Sequence, residues 1–354
     1  MMEKRQFLKS GLAFTSLALL DPLHAKSNAD LNRFTSNPLL ETLAPEGWMG
    51  SPLDEAGRFR NHNFPFVPSF SSVWKWKSKP NPQAKEKSAD RWKAEFAADG
   101  DFLNRKDDCL VWLGHASFFL RMDGVQILID PVFGRATVVK RLQESPYPAE
   151  IWKGIDFILI SHDHRDHCDL PSLQKLARQN PAVKVLSGLG MKNLLSGVFP
   201  KSAIEEAGWY QKFSSRMPEI WFIPSRHWSR RGLGDTNCRQ WGGFYLNGPK
   251  RVFFMGDSGY DNHFSSLPQL HPGADLALMG IGAYSPEWFM HPSHMSPEDS
   301  WKSFQDLQAG KMIPMHFGTF DLSDEPASEP LRRLKSIADP AGLLLPGIGQ
   351  THWL

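Results

Sequence analysis

Cysteine is scarce in this chain. Only Cys109, Cys168 and Cys238 occur, none of them in a CxxC pair, so neither a multi-bridge disulfide framework nor a cysteine-rich structural zinc site can be built. Surplus charge is missing too: 40 Lys and Arg stand against 38 Asp and Glu, a formal net of +2. No basic run marks a nucleic-acid surface, and none of the expected partners is a nucleic acid. Long apolar runs are lacking as well. The apolar stretch from Ser10 to Leu20 covers 11 residues, whereas a membrane-spanning helix needs about 20. There is no internal repeat, no low-complexity tract and no Gly-x-Ser-x-Gly elbow. What is present is average for a globular chain: 354 residues, 41% apolar and 22% charged, enough for one or two domains. Histidine, at 13 residues, is the feature to follow.

The first 25 residues read as an export signal. A basic start, the apolar run and Leu23-His24-Ala25 follow the order of a secretory leader. Lys4-Arg5-x-Phe7-Leu8-Lys9 resembles a twin-arginine signal with Lys for the first Arg, a route that carries folded, cofactor-loaded proteins to the periplasm. Residues 26–107 are rich in Pro, Asn, Ser and Trp and read as a partly irregular arm, with a helical turn or two at Ala89 to Ala97. From 108 to 354 short apolar runs recur at Cys109–Leu113, Gln126–Ile129, Phe157–Ile160, Lys184–Leu186, Ile220–Ile223, Phe244–Leu246, Val252–Met255, Leu276–Met279 and Met312–Met315. Helices intervene. Asp169-Leu-Pro171 opens one, with Leu170, Leu173, Leu176 and Ala177 on one face; Ser296-Pro-Glu-Asp299 opens another in a capping-box pattern, with Trp301, Phe304 and Leu307 as its stripe. Mixed strands and helices in this order imply an α/β protein of stacked layers.

One segment carries chemistry. Ile158-Leu-Ile-Ser runs straight into His162-Asp-His164-Arg-Asp166-His167. Imidazole and carboxylate suit zinc and similar divalent metals, and four donors at such short spacing point to two ions rather than one. Three further strands end on donor residues: Ile220 leads to His227, Val252 to Asp257 past Gly256, and Met312 to His316. Side chains leaving strand ends at one sheet edge can build a single site, and these make seven donors in all.

With its neighbours, this pattern resembles the metallo-β-lactamase superfamily, and within it the branch of N-acylphosphatidylethanolamine-hydrolysing phospholipase D. The residues that carry the resemblance are HxHxDH, Trp112-Leu-Gly-His115-Ala, Ile129-Asp130-Pro131, His227-Trp-Ser-Arg-Arg231, Gly256-Asp-Ser-Gly-Tyr260, Gly282-Ala-Tyr284 and His316-Phe-Gly-Thr319-Phe320. Gly57-Arg58-Phe59-Arg60-Asn61 is similar too, so the likeness runs from about residue 57 to the C-terminus. It implies a four-layer αββα sandwich and two zinc ions per chain. By position, His162, His164 and His227 hold the first zinc, Asp166, His167 and His316 the second, and Asp257 bridges them. The implied reaction is phosphodiester hydrolysis by a hydroxide between the metals, with Asp166 as base or orienting group.

Other residues carry two readings each. Asp130 is either the acceptor that orients a ligand histidine or a turn former before Pro131. His115 reads as a brace at the site edge. His294 matches a family position near the substrate phosphate, which makes it the candidate acid. Arg230 and Arg231 favour an anionic substrate or form a solvated loop pair, and Tyr284 lines an acyl groove or packs in a core. Cys168 reads as buried filler. The expected partners are a small-molecule or phospholipid substrate and peripheral contact with a membrane. A lactone, amide or β-lactam hydrolase on the same fold and a non-catalytic metal-binding envelope protein are the rival readings.

Overall fold

Alternation along the strands decides how the layers stack. The computed structural model describes residues 33–64, 66–136 and 139–354; the expected export signal lies outside them. Its strands are β1 (Arg33–Thr35), β2 (Ser51–Leu53), β3 (Cys109–Trp112), β4 (Phe118–Met122), β5 (Val125–Ile129), β6 (Phe157–Ile160), β7 (Lys184–Gly188) and β8 (Ile204–Ala207). They continue as β9 (Gln211–Lys212), β10 (Glu219–Ile223), β11 (Gly243–Asn247), β12 (Arg251–Phe254), β13 (Leu276–Gly280), β14 (Lys311–Met315) and β15 (Thr351–Trp353). The helices are α1 (Phe70–Ser78), α2 (Ala84–Ala89), α3 (Leu170–Gln179), α4 (Lys192–Leu195), α5 (His263–Leu270), α6 (Glu287–Met290), α7 (Pro297–Asp306) and α8 (Glu329–Ile337).

One sheet has seven strands in the order β15-β3-β4-β5-β6-β7-β8, and the other has six in the order β14-β13-β12-β11-β10-β9. Leu110, Trp112, Phe118, Leu120, Ile127, Ile129 and Leu159 face the six-stranded sheet, where they meet Phe222, Phe244, Phe254 and Leu278 in the main core. Their alternates, Val111, Phe119, Leu128, Ile158 and Ile160, form a second core with Leu173 and Leu176 of α3. On the far side α7 packs on β13 and against α5 and α8, burying Phe304 and Leu334. The result is the αββα sandwich.

All nine expected strands are present. Asp169 caps α3 and accepts from Ser172 N, and Ser296 caps α7 and accepts from Asp299 N. Asp299 does not close the capping box, because its carboxylate takes the Ser296 hydroxyl at 2.9 Å and His291 Nε2 at 3.1 Å instead. The helix expected at Ala89 to Ala97 is not there. Helical structure ends at Ala89, and a bridge from Phe96 to Ile348 draws the following residues out along the C-terminal segment.

Strand direction positions the site. β5 to β8 run parallel, as do β12 to β14. β3, β5 and β6 of one sheet and β10, β12 and β14 of the other therefore deliver their C-terminal ends to one common edge.

Candidate metal centre

The donors follow the C-terminal ends of apolar strands. β6 releases His162, His164, Asp166 and His167 into a tight loop, closed by hydrogen bonds from His167 N and Cys168 N to His164 O. β12 ends at Gly256-Asp257. Gly256 has φ +66, and a Cβ there would lie 2.4 Å from Gly242 O, so only glycine lets Asp257 approach this closely. His115, Asp130 and His316 hold φ of 53, 40 and 62°. That left-handed region is costly for residues with a Cβ, and three such turns line this edge.

The donors fall into two four-residue groups, His162, His164, His227 and Asp257 and then His115, Asp166, His167 and His316, linked by a third of Asp257, His294 and His316, each with its ligand atoms within 4.8 Å of one another. In the first, His164 Nδ1 lies 3.0 Å from His162 Nε2 and 3.1 Å from His227 Nε2, with Asp257 Oδ2 3.9 and 3.7 Å from those two Nε2 atoms. In the second, His167 Nε2 and His316 Nε2 each lie 3.7 Å from Asp166 Oδ2. Asp257 reaches this group as well, with Oδ1 3.3 Å from His167 and Oδ2 3.1 Å from His316. All seven residues are brought together, and Asp257 lies within 4 Å of histidines in both four-residue groups.

Partners behind the rings fix which nitrogen faces inward. Asp130 is fully buried and accepts from Ser161 N, Ser161 Oγ and His167 Nδ1 at 2.8, 2.5 and 2.8 Å. The one Ser161 proton is thereby used, so the 2.9 Å contact from His162 Nδ1 is a donation to Ser161 Oγ. His227 Nδ1 donates to Ser293 O at 3.0 Å. Lone pairs on His162 and His227 Nε2 therefore point inward, and His167 Nε2 faces the same side, an arrangement that suits a cation. His167 Nε2 and His316 Nε2 are buried and have no hydrogen-bond partner in the protein; a divalent ion would satisfy both. The residues fit a pair of such ions.

Electrostatics agree. Burial holds the His162 and His227 rings well below the ordinary imidazole range and lowers His164 as well, so these three are neutral and able to ligate. Burial alone would raise Asp166 and Asp257, but the positive side chains beside them, His167 foremost, hold both well below the usual carboxylate range. The same two carboxylates outweigh burial at His167, and at His316, where they push the ring up to about 9. The second group thus demands positive charge.

The remaining expected residues sort themselves by what they touch. Asp130 orients His167 directly and His162 through Ser161; a plain turn former would not be buried with three donors. His115 Nε2 reaches Asp166 Oδ2 at 3.0 Å, and the ring stands among the second group of donors. His294 sits at the lip, its Nδ1 3.8 Å from Asp257 Oδ2, and burial lowers it to about 4. Arg231 does not face outward for a substrate: its Nη1 donates to Asp163 O and Cys168 O, stapling the two ends of the donor loop. Arg230 turns its Nε onto Gly232 O, a contact within its own loop. Tyr284 takes the core reading and not the acyl groove. It is 2% exposed and donates to Glu329 Oε1, so its hydroxyl is committed inside the fold. Burial pushes the Cys168 thiol up to about 12, which keeps it protonated and outside the donor set.

Sequence reading missed Ser161 and Asp163. Asp163 is buried and accepts from Arg230 N and Arg239 Nη1. A polar residue placed before or between ligand histidines was the available signal, because the loop leaves such a side chain little room to reach water.

The family described as "Beta-lactamase superfamily domain" matches residues 126–317, from β5 through His316. The chain belongs to the metallo-β-lactamase superfamily. A curated relative of this superfamily member, N-acyl-phosphatidylethanolamine-hydrolyzing phospholipase D 1 of Caenorhabditis elegans, is 32% identical over 68% of this chain and 72% of the relative. A mitochondrial protein of the same description from Saccharomyces cerevisiae is 32% identical over 68% of this chain, but the match spans only 55% of its own length. Among solved structures, Igni18, a metallo hydrolase from Ignicoccus hospitalis, superposes with a TM-score of 0.52 at 21% identity, covering 69% of this chain and 97% of that one. This metallo-β-lactamase-fold chain is a metal-dependent hydrolase. Among the described residues, no helix is long and apolar enough to cross a membrane.

Proposed function

We propose that the chain hydrolyses phosphodiesters at two zinc ions, on the pattern of an N-acylphosphatidylethanolamine phospholipase D. The observation that carries this reading is Asp257, whose two oxygens serve both donor groups while His294 stands beside it at the lip. In this reading His162, His164 and His227 hold one ion, Asp166, His167 and His316 hold the other, and Asp257 is shared. Two cations held there acidify water near neutral pH and neutralise charge on phosphoryl oxygens.

The chain's own groups do the rest. Asp166, fixed by His115 and held as a carboxylate, orients the attacking water. His294 is neutral at physiological pH and donates an N–H to a phosphoryl oxygen or to the departing alkoxide. It lies two residues before Ser296, the cap of α7. The substrate in this reading is a phospholipid diester cut on the phosphatidic-acid side of ethanolamine, handled by a protein exported through its Lys4-Arg5 signal.

A panel tests it: bis(p-nitrophenyl) phosphate, an N-acylphosphatidylethanolamine, a lactone and a chromogenic β-lactam, each with zinc-loaded protein of measured metal content. Two zinc per chain and turnover of both diesters are expected. Turnover of the lactone or lactam alone would move the chain to the carbonyl-hydrolase reading, and no turnover with full zinc to a binding role. His294→Ala is expected to keep its zinc and lose about 10²-fold in turnover of the lipid diester. The loss is expected to be smaller on the nitrophenyl ester, whose leaving group needs less stabilisation. A variant with wild-type rates on both would remove His294 from the reaction.

A further inference from the structure

Gly57-Arg58-Phe59-Arg60-Asn61 lies in the arm, outside the residues that match the superfamily domain. The arm is nevertheless built into the body. Phe59 is buried in the core between the sheets and its N–H donates to Asn237 O at 2.8 Å. Two residues on, Asn61 is 2% exposed and faces the main chain of His227. Its Oδ1 accepts from His227 N at 3.0 Å, and its Nδ2 donates to His227 O at 2.8 Å. Trp241 Nε1 donates to the same Oδ1 at 3.2 Å. One carboxamide thus pairs with both polar groups of a single residue 166 positions away, as a neighbouring strand would.

His227 lies four residues beyond the end of β10, past Pro224. The backbone pairing nearest to it is the Arg226–Gly259 bridge one residue before, and its own N–H and C=O are taken by Asn61. Its ring is fixed at the far side by Ser293 O. Between those two anchors the backbone clasp sets where Nε2 stands relative to His162 and His164. Burial leaves no water to replace the clasp if it is removed.

We propose that Asn61 is a positioning residue for the first metal position. Through it the arm becomes part of the active site, and its loss weakens the His162–His164–His227 position while sparing the one at Asp166, His167 and His316. The inference rests on the two-metal reading and goes beyond it, since it assigns the two positions unequal dependence on a segment outside the family domain.

The test measures metal directly. Wild-type, Asn61→Ala and Asn61→Asp proteins are loaded with cobalt(II), and their visible spectra and chelator competition curves are compared, with circular dichroism to confirm folding. In Asn61→Ala one of two metals is expected to pass to chelator about tenfold or more readily, the usual scale for removing a group that orients a ligand, with the bands of one cobalt altered and those of the other kept. Asn61→Asp keeps the acceptor for His227 N but opposes His227 O with a carboxylate oxygen, so the same metal is expected to weaken. It also decides the matter if Asn61→Ala does not fold. Two metals held at wild-type affinity with unchanged spectra in the folded variants would overturn the proposal, and so would equal loss of both. A wild-type protein that binds no divalent metal would instead overturn the two-metal reading.

Discussion

At the scale of single residues, charge separates Asp257 from the other donors. It touches four donor imidazoles, while each histidine serves one group. Asp257→Asn keeps the shape and removes the charge that offsets two dications, so both metals are expected to weaken together. His227→Ala is expected to empty mainly one. Elemental analysis after dialysis against a weak chelator distinguishes them, and an Asp257→Asn protein that still holds two metals would show that the carboxylate is not shared. The seven donors were legible in the sequence because they cluster just past the ends of apolar runs, and a strand end cannot hide its side chain. Tyr284 was misleading for the opposite reason. It follows a strand as the donors do, but Glu329 and the Arg333 guanidinium, 4.7 Å from its ring, arrive from a helix some 45 residues later and draw it inward. Nothing local announces that.

At the scale of elements, α3 begins just after the donor loop, so its first turn is the loop's foundation. Asp169 Oδ2 accepts from Ser172 N at 3.1 Å and from Ser172 Oγ at 2.5 Å. Asp169→Ala removes that cap and is expected to cost about 1 kcal/mol, or roughly 2–4 °C in melting temperature for a domain of this size class. Differential scanning calorimetry on zinc-loaded protein measures it; an unchanged melting temperature would mean the Pro171 start alone holds the turn. The caps of α3 and α7 were readable because Asp or Ser before Pro is a chemical instruction confined to a few residues. β4 was not. Phe118–Met122 is buried throughout although it carries Arg121, whose guanidinium donates to Asp107 O and Phe102 O. β15 and β9 are three and two residues long and exist only because a long strand lies beside them.

For the whole molecule, acid should be destabilising for a reason separate from the metals. Burial lowers His263 and His271 to about 4 each, while an unfolded chain would protonate them near about 6.5. Above that value both are neutral in either state, and their contribution is fully present. As the pH falls from about 6.5 toward 4, the unfolded chain takes up protons that the folded one refuses. Stability therefore drops by up to about 1.4 kcal/mol per pH unit for each histidine. His271 packs on Tyr245 and Trp221, with ring centroids 4.6 and 5.0 Å away, so His271→Leu removes the titration and keeps an apolar filler. Urea melts between about pH 7.5 and 4.5 are expected to give the variant a shallower decline than the wild type. Parallel declines would mean that His271 is reached by solvent protons in the folded state.

The staple made by Arg231 has a mechanical consequence. Arg231 lies in the loop after β10 of the six-stranded sheet, and the carbonyls it holds, Asp163 O and Cys168 O, lie in the loop after β6 of the other. A guanidinium that spans the two layers resists their sliding past each other, and it does so at the edge where His227 must stay in step with His164. The spacing between donors of different sheets is thus tied to two hydrogen bonds of one side chain.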